Sequence, residues 1–292
     1  NLCADLENIG MVTDAVWSDV NKDGWLDLVI AGEWMPVTVL LNKKGQLTNV
    51  TEELGLSEFT GLWISLKMAD INNDGLDDIL VGNLGENSKL PASKKFPLVM
   101  YLGDFDNNTY PEQILSSEKN GLYYPFLGKD ELQKVVPGVI RKRYPDYKMF
   151  AGQTVEEIFE GQLRKSKKLA AATLSSMVFV NRNGKYQPID LPGEIQWAPV
   201  YCWFTGDLNQ NGLSDILAGG NLKNVPPYEG SYDAGYGTLL EGKGNRVFTA
   251  MTMLKSGIDI KGQVRDIKSI RMAKGRRVLA VALNNDKIKF FE

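Results

Sequence analysis

Aspartate and asparagine recur at alternate positions in three short segments, and this spacing can bind a hard divalent cation. Loop 1 (19–27) reads Asp-Val-Asn-Lys-Asp-Gly-Trp-Leu-Asp, loop 2 (70–78) reads Asp-Ile-Asn-Asn-Asp-Gly-Leu-Asp-Asp, and loop 3 (207–215) reads Asp-Leu-Asn-Gln-Asn-Gly-Leu-Ser-Asp. Each segment has side-chain oxygens at positions 1, 3, 5 and 9 and a glycine at position 6. Calcium takes about six to eight oxygens, and a bend at glycine turns alternate side chains inward. The spacing therefore predicts about three calcium sites.

The predicted ligands combine these side chains with the backbone carbonyl at position 7. They are Asp19, Asn21, Asp23, Asp27 and the carbonyl of Trp25 in loop 1; Asp70, Asn72, Asp74, Asp78 and the carbonyl of Leu76 in loop 2; and Asp207, Asn209, Asn211, Asp215 and the carbonyl of Leu213 in loop 3. Carboxylates this close repel one another unless a cation lies between them. Loop 3 has one carboxylate fewer, so we expect it to bind more weakly.

A fourth segment keeps the same frame with one departure. Loop 4 (104–112) places Asp104, Asp106, Asn108 and Glu112 at positions 1, 3, 5 and 9, with the carbonyl of Tyr110 at position 7. Thr109 replaces the glycine at position 6, where a left-handed conformation is costly for a residue with a Cβ atom. Loop 4 is therefore predicted to be a weaker metal site. A fifth repeat keeps only its first aspartate, Asp266.

Two other kinds of loop share features with these segments. EF-hand and dockerin loops begin in the same way but need a carboxylate at position 12. Position 12 is Ile30, Val81 and Ala218 in loops 1 to 3, each inside a strand-like run, which excludes both motifs. Ordinary turns also use Asp-Gly and Asn-Gly. Three loops in register, with similar flanking sequences, favour metal binding over simple turns.

The segments around the loops predict an all-β fold. Apolar runs flank each acidic loop, and hairpins with glycine-containing turns follow at 37–47, 177–186 and 238–247. About four strands per repeat is typical of a β-propeller blade. We predict one propeller domain over 1–292 with five legible repeats, in a ring that is either incomplete or completed by strands the pattern does not reveal. Residues 129–172, with the capping box Thr154–Glu157, are predicted to form a helical insertion in the third blade.

Composition excludes several classes of function. The chain lacks histidine, which removes His-dependent catalytic triads and His-ligated zinc sites. A net charge of −3 does not favour nucleic acid, and no apolar run reaches the ~18 residues that span a bilayer. The chain opens on Asn1, which we interpret as a trimmed chain or fragment, so a missing signal segment carries no weight. Cys3 and Cys202 could pair, or Cys202 could be a free buried thiol.

The loops resemble the FG-GAP/VCBS repeats of integrin α-chain propellers and bacterial surface proteins. The segments 83–89 and 101–108, with the helical insertion, are similar to bacterial relatives of the cartilage-acidic-protein (ASPIC/UnbV) group. The resemblance covers most of the chain but is specific only in the loops, and the Phe-Gly/Gly-Ala-Pro signature is not intact. It implies a propeller with calcium in the blade loops, export from the cytoplasm, and a role in adhesion or ligand binding.

The leading functional prediction is a non-enzymatic, extracytoplasmic module that binds a protein or glycan at the cell surface. A candidate ligand surface is the Gly-rich segment 224–237, where tyrosine beside aspartate suits sugar stacking and hydrogen bonding. Its candidate residues are Tyr228, Tyr232, Asp233 and Tyr236. These aromatic residues could instead pack the segment on its own blade. The runner-up is a calcium-dependent polysaccharide lyase, and a third hypothesis is an interaction platform within a larger complex.

Overall fold

A computed structural model describes residues 4–292, apart from the side chains of Asp5 and Lys274, and β-strand is the main regular secondary structure in this part of the chain. The strands are β1 (Met11–Ser18), β2 (Asp27–Pro36), β3 (Thr38–Lys43), β4 (Gln46–Asn49), β5 (Thr60–Leu62), β6 (Ser65–Ala69), β7 (Asp78–Gly82), β8 (Leu98–Gly103), β9 (Glu112–Lys119), β10 (Leu122–Pro125), β11 (Lys167–Ala171), β12 (Met177–Asn181), β13 (Tyr186–Ile189), β14 (Val200–Gly206), β15 (Asp215–Gly220), β16 (Thr238–Gly242), β17 (Phe248–Ala250), β18 (Val264–Arg271), β19 (Arg277–Leu283) and β20 (Lys289–Phe291). The helices are α1 (Lys129–Val135), α2 (Pro137–Arg143), α3 (Tyr147–Phe150), α4 (Val155–Phe159) and α5 (Met253–Ser256). Short 3-10 segments cover Ala4–Leu6, Glu160–Lys165, Gly193–Gln196 and Ala273–Gly275.

The strands form antiparallel sheets, which confirms the all-β prediction. Sheet A has the order β1-β2-β3-β4 with β5 added beside β2, and sheet B has the order β6-β7-β12-β13. Sheet C has the order β11-β8-β9-β10, sheet D the order β14-β15-β16-β17, and sheet E the order β18-β19-β20. The three predicted hairpins are the pairs β3–β4, β12–β13 and β16–β17. Loops 1, 2 and 3 each connect the first two strands of their sheet.

In the sequence, the strands of sheet C lie between the second and third strands of sheet B, and do not follow the last one. The chain leaves sheet B after β7 and returns as β12, which pairs with β7 through Val178 and Leu80. Residue contacts accordingly divide the chain into two compact units, Leu90–Thr173 and the rest. A single domain over 1–292 stays a prediction. The predicted helical segment 129–172 is too long, because its last part is strand β11, held by pairing with β8.

Sheets A, B, D and E of the larger unit pack face to face in series. In β7, Ile79 and Val81 join the core shared with sheet A, while Leu80 joins the core shared with sheet D. In β15, Ile216 faces sheet B and Leu217 faces sheet E. Alternate residues of a strand point to opposite faces, so a sheet covered on both sides needs a continuous apolar run. This requirement explains why both strands lack the usual polar alternation.

The smaller unit, Leu90–Thr173, packs helices α1, α2 and α4 with apolar residues of sheet C and of loop 4. Thr154 and Glu157 form the predicted capping box of α4, each side chain accepting the other residue's backbone N–H. Val155, Ile158 and Phe159 follow on one face and are fully buried. Leu132, Val136 and Ile140 of the α1–α2 region complete this core. The helical content of this unit is thus fixed locally by its cap and its 3.6-residue apolar period.

Two further predictions concern cysteine and membranes. Cys202 is buried in sheet D, where its Sγ lies 3.7 Å from the carbonyl oxygen of Gly219. Cys3 lies outside the described residues, so pairing of the two cysteines stays a prediction. Among residues 4–292, no helix has the length and apolarity needed to cross a lipid bilayer.

Phe179 provides a test of the packing between sheets A and B. Its side chain is fully buried and its ring centroid lies 5.0 Å from that of Phe59. We predict that Phe179→Ala lowers the free energy of unfolding by about 3–5 kcal/mol, because it leaves a cavity in a core that cannot close. Urea denaturation measures this. Phe290→Ala, which truncates an exposed ring of β20, should change stability little; equal losses from both variants would contradict the assigned core.

Candidate metal centre

All four acidic loops close on the carboxylate at position 1. In loop 1, Asp19 Oδ1 accepts the N–H of Asp23 and Oδ2 accepts the N–H of Gly24, both at 3.0 Å. Asp70, Asp104 and Asp207 accept the N–H groups of positions 5 and 6 in the same way, at 2.8–3.1 Å. The N–H of position 7 donates to the side-chain oxygen of position 5 in each loop. The four loops therefore share one backbone path, and their side-chain oxygens face its inside.

This path needs two left-handed residues, of which the sequence indicated only one. Position 6 has φ between +75° and +90° in the four loops and is Gly24, Gly75, Gly212 and Thr109. Position 4 is also left-handed, with φ between +58° and +61°, and is Lys22, Asn73, Gln210 and Asn107. Thr109 keeps the geometry although a β-branched residue is strained there. The asparagines at position 4 were the available signal, because asparagine tolerates this conformation.

The carboxylate at position 9 joins each of loops 1 to 3 to its sheet. Asp27 accepts the N–H of Val20 at 3.0 Å and that of Asn42, in β3, at 2.8 Å. Asp78 accepts from Ile71 and Asn181, and Asp215 accepts from Leu208 and Gly242. The three aspartates are buried. Each carboxylate thus satisfies two buried backbone donors, and each of its oxygens has acceptor capacity left for a further partner.

Burial, with a smaller contribution from neighbouring carboxylates, raises the pKa of Asp27 and of Asp78 and so disfavours their ionised forms. Burial raises the pKa of the Asp78 carboxyl from its ordinary 3.8 to about 6, against the lowering effect of its two backbone donors. The charges of Asp74 and Asp70 add to this rise in pKa. Between those pH values the folded chain holds a proton that the unfolded chain releases, so the stability that Asp78 contributes falls as pH rises through this window. A cation beside Asp70 and Asp74 would oppose that loss.

Loops 1 to 3 lie at one end of the larger unit, beside each other. Ser18 Oγ donates to Asp77 Oδ2 at 2.5 Å, which joins the flank of loop 1 to loop 2. Asn73 Nδ2 donates to the carbonyl of Gly212 at 3.5 Å, which joins loop 2 to loop 3. Arg246, in the turn after β16, pairs with Asp74 at 3.4 Å. The sequence predicted three separate sites, and the fold brings them to a common surface.

Loop 4 differs from the other loops because its carboxylates converge. One oxygen each of Asp104, Asp106 and Glu112 lie within 4.8 Å of one another, the one such acidic group of three among residues 4–292. In loops 1 to 3 the position-3 asparagine accepts the N–H of position 5. The Oδ1 atom of Asp106 is buried and accepts no hydrogen bond. These two features distinguish loop 4 from loops 1 to 3, and its ranking as the weaker metal site stays a prediction.

The fifth predicted repeat start, Asp266, is wrong. This residue lies inside β18 and pairs with Ala282 of β19. A register shift at Arg265 in β18 matches the shifts at Thr13 in β1 and at Tyr201 in β14. Counting from these shifts, Arg271 takes the place of Asp19 and Asp207, and the turn that follows it carries no carboxylate. The bulges, and not the aspartate, mark equivalent positions.

The candidate ligand surface at 224–237 is only partly exposed. Tyr228 and Tyr236 are 42% and 44% exposed, and Asp233 lies 3.8 Å from the Lys223 amine. Tyr232 is 5% exposed and forms a β-bridge with Leu222. Tyr232 therefore packs the segment on its own sheet, as the alternative interpretation held, and Tyr228 and Tyr236 are the two partly exposed rings of the segment.

Comparisons with known proteins point to one family. Residues 19–81, which include loops 1 and 2, match the FG-GAP-like repeat. Human integrin alpha-6 is 30% identical over 145 residues, which cover 46% of this chain and 12% of that protein's length. A solved structure of an Agrocybe aegerita lectin, described for specific recognition of non-reducing terminal N-acetylglucosamine, aligns over 98% of this chain and 82% of its own. Its identity of 14% and TM-score of 0.22 are too low to support an argument.

The position-9 carboxylate can be tested at Asp78. We predict that Asp78→Asn lowers the free energy of unfolding by about 1–3 kcal/mol, because an amide has one acceptor oxygen for two buried N–H groups. Chemical denaturation in a metal-free buffer measures the loss without any contribution from bound ions. Asp190→Asn, at an exposed position, is the matched control. A loss for Asp78→Asn no larger than that of the control would contradict the role of the Asp78 carboxylate in joining loop 2 to its sheet.

Proposed function

We propose that this FG-GAP repeat protein is a non-enzymatic, calcium-binding module of the β-propeller kind that binds a protein or glycan outside the cytoplasm. The observation that carries the proposal is the common geometry of loops 1 to 4. Four segments distant in sequence adopt one path that turns carboxylate and amide oxygens inward. An ordinary turn has no need for so many acceptors.

The packing of sheets A, B, D and E supports the propeller interpretation. The first strands of these sheets are neighbours in series: β1 packs beside β6, β6 beside β14, and β14 beside β18. Each sheet is antiparallel, and loops 1 to 3 follow the first strand of their sheets. Serial face-to-face packing of small antiparallel sheets is the arrangement of propeller blades. The integrin relative supports the same interpretation.

The donor set of the loops fits calcium. Every predicted side-chain ligand is an aspartate, asparagine or glutamate, and hard cations prefer such oxygen ligands over nitrogen or sulfur. The buried, unpaired Oδ1 of Asp106 is an acceptor without a donor, which a cation would satisfy. Calcium would supply positive charge among carboxylates that otherwise repel one another. The residues that would hold it are those predicted for loops 1, 2 and 3, with Asp104, Asp106 and Glu112 in loop 4.

The partner and location are proposed from the integrin relative and from the exposed residues of the segment 224–237. Integrin alpha-6 suggests a surface-exposed role, but this chain spans only 12% of that protein. Tyr228 and Tyr236 are exposed on the segment 224–237 and Asp233 lies between them in sequence. Flat exposed rings beside a carboxylate suit a sugar, whose C–H faces stack on aromatics while its hydroxyl groups donate hydrogen bonds. We propose a glycan as the partner at this segment.

Calcium removal tests the proposed function. We predict that a chelator lowers the melting temperature and that calcium restores it, because an ion that binds only the folded state adds about 2.7 kcal/mol per site at a hundredfold excess over Kd. Calorimetric titration should find about three or four sites, and Asp19→Asn, Asp70→Asn and Asp207→Asn should each remove or weaken one. Asp190→Asn should remove none. Equal melting temperatures with and without chelator would contradict the proposal.

Glycan binding without turnover is the second test. We predict that the double variant Tyr228→Ala/Tyr236→Ala weakens binding to a responsive acidic or neutral glycan on the order of tenfold, as expected for lost stacking worth about 1–2 kcal/mol. Phe290→Ala, which removes an exposed ring elsewhere, is the control. Incubation with pectic and other acidic polysaccharides should give no unsaturated-product absorbance; a sustained rise with calcium would instead support the lyase.

A further inference from the structure

Sheet E is the last in the series of sheets A, B, D and E, and the face that it turns away from sheet D is largely open to solvent. Ile267 of β18 and Val281 of β19 point toward sheet D and are buried in the core shared with it. Lys268 and Ala280, which pair across the two strands, lie on the opposite face because side chains alternate along a strand. On that face the Lys268 side chain is 73% exposed and Ile270 is 41% exposed.

This open face has the positions that sheet A uses to pack on sheet B. Counted from the bulges of β1 and β18, Asp266 takes the place of Asp14 and Ala280 takes the place of Val29. Val29 is fully buried in the core between sheets A and B. Ala280 is only partly buried, on the open face of sheet E. Sheet E therefore continues the packing pattern of the series at a surface where the next sheet is missing from the described residues.

Asp266 also repeats the hydrogen-bond geometry of Asp14. In both residues Oδ1 accepts the N–H of the following residue, Ala15 or Ile267, at 2.9 Å. The Oδ2 atom of Asp14 then accepts the N–H of Leu66 in β6 at 2.8 Å, which joins sheet A to sheet B. Within the described structure, the Oδ2 atom of Asp266 has no such donor. The first strand of a further sheet would supply one, because a strand carries backbone N–H groups along its free edge.

The face of sheet A that points away from sheet B is a matching surface. Trp17, two residues before loop 1, takes the place of Met68, two residues before loop 2, and Met68 packs in the core between sheets A and B. Leu6 and Ile9 cover the neighbouring part of this face and leave Ala15 and Trp17 exposed. The small alanine side chains on the open face of sheet E leave room for an indole ring, so the two faces are complementary in size.

The segments that carry these two faces have opposite charge. Residues 1–62, which contain sheet A, have ten acidic and three basic side chains. Residues 264–292, which contain sheet E, have eight basic and three acidic side chains. One calcium ion in loop 1 would leave the first segment acidic. Opposite charge favours contact between sheet E and sheet A, whereas like charge opposes contact of either sheet with its own copy.

The first strands of sheets B and E come close to each other although sheet D lies between them in the series. Lys67 belongs to β6 of sheet B, and Lys268 and Asp266 belong to β18 of sheet E. Burial is the main cause that lowers the pKa of Lys67, and the charges of Lys268 and Asp266 also act on this pKa. The first strands therefore lie on the inner side of the series, as they do in a propeller.

We propose that two copies of this chain associate head to tail, with sheet E of each copy packed on sheet A of the other. The inference rests on the proposed function, since it takes the four sheets to be propeller blades. It adds a partner, a second copy of the chain, and the two faces that meet. Two copies would supply eight sheets to one ring, within the range of about four to eight blades that propellers have. Each contact joins different faces, and two such contacts close the pair.

Light scattering coupled to size-exclusion chromatography tests the association. One chain has a mass of 32.5 kDa, and we expect a particle of twice this mass that dissociates on dilution. Trp17→Glu on sheet A and Ala280→Arg on sheet E should each give the mass of a single chain, because each variant places a charge in both contacts. Leu122→Glu, at an exposed apolar position on β10 of the smaller unit, is the control and should keep the double mass. Circular dichroism of each variant should match that of the unaltered protein, which separates lost association from unfolding.

A mixture of the two variants tests which faces meet. In a mixed pair one contact joins two unaltered faces, and the other places the introduced glutamate beside the introduced arginine. We therefore expect the mixture of Trp17→Glu and Ala280→Arg to regain the double mass that neither variant has alone. A mixture that stays at the mass of a single chain would overturn the head-to-tail arrangement.

The other outcomes separate this inference from the proposed function. The mass of a single chain at every concentration would overturn the association and leave calcium and glycan binding as proposed. A double mass that both variants keep would overturn the assigned faces, and open-ended assemblies would overturn the closed pair. A head-to-tail pair whose melting temperature does not respond to chelator would support this inference and contradict the proposed calcium binding.

Discussion

The structure depends on one interaction, in which a carboxylate at position 1 of each loop accepts two successive backbone N–H groups. Asp19, Asp70, Asp104 and Asp207 all make this pair of hydrogen bonds. The bonds fix a path with two left-handed residues, and in loop 4 one oxygen each of Asp104, Asp106 and Glu112 lie within 4.8 Å of one another. The arrangement concentrates negative charge, which burial and mutual repulsion oppose. A cation inside the loop would remove this conflict, so under the proposed function metal binding and loop geometry are two aspects of one constraint.

In loops 1 to 3 the carboxylate at position 9 attaches the loop to the sheet by hydrogen bonds. Asp27, Asp78 and Asp215 each connect position 2 of the loop to the last residues of the third strand. The loop and the hairpin that follows it are thereby held as one unit. In loop 4 Glu112 takes this position, its Oε2 accepts the N–H of Phe105, and the Phe105 ring packs in the core that contains the helices.

Local features were predictable from the sequence, whereas long-range pairing was not. The acidic loops, the glycine hairpins and the Thr154–Glu157 capping box depend on residues a few positions apart, and the structure contains all of them. The insertion into sheet B depends on β7 pairing with β12 across an entire unit, for which no local pattern exists. Asp266 was misplaced because bulges set the register of the first strands. The convergence of Asp104, Asp106 and Glu112 in loop 4 was not predictable, because it depends on side-chain positions that the spacing alone does not give.

An anomalous difference map from crystals grown with calcium tests the central claim most directly. The account predicts a peak inside each of loops 1 to 3, bordered by the carboxylates of Asp19, Asp70 and Asp207, and a peak of equal or lower occupancy in loop 4. It also predicts that Glu112 borders the peak in loop 4. Loops that keep their internal hydrogen bonds and show no peak at saturating calcium would contradict it, and would make these segments turns stabilised by carboxylates alone.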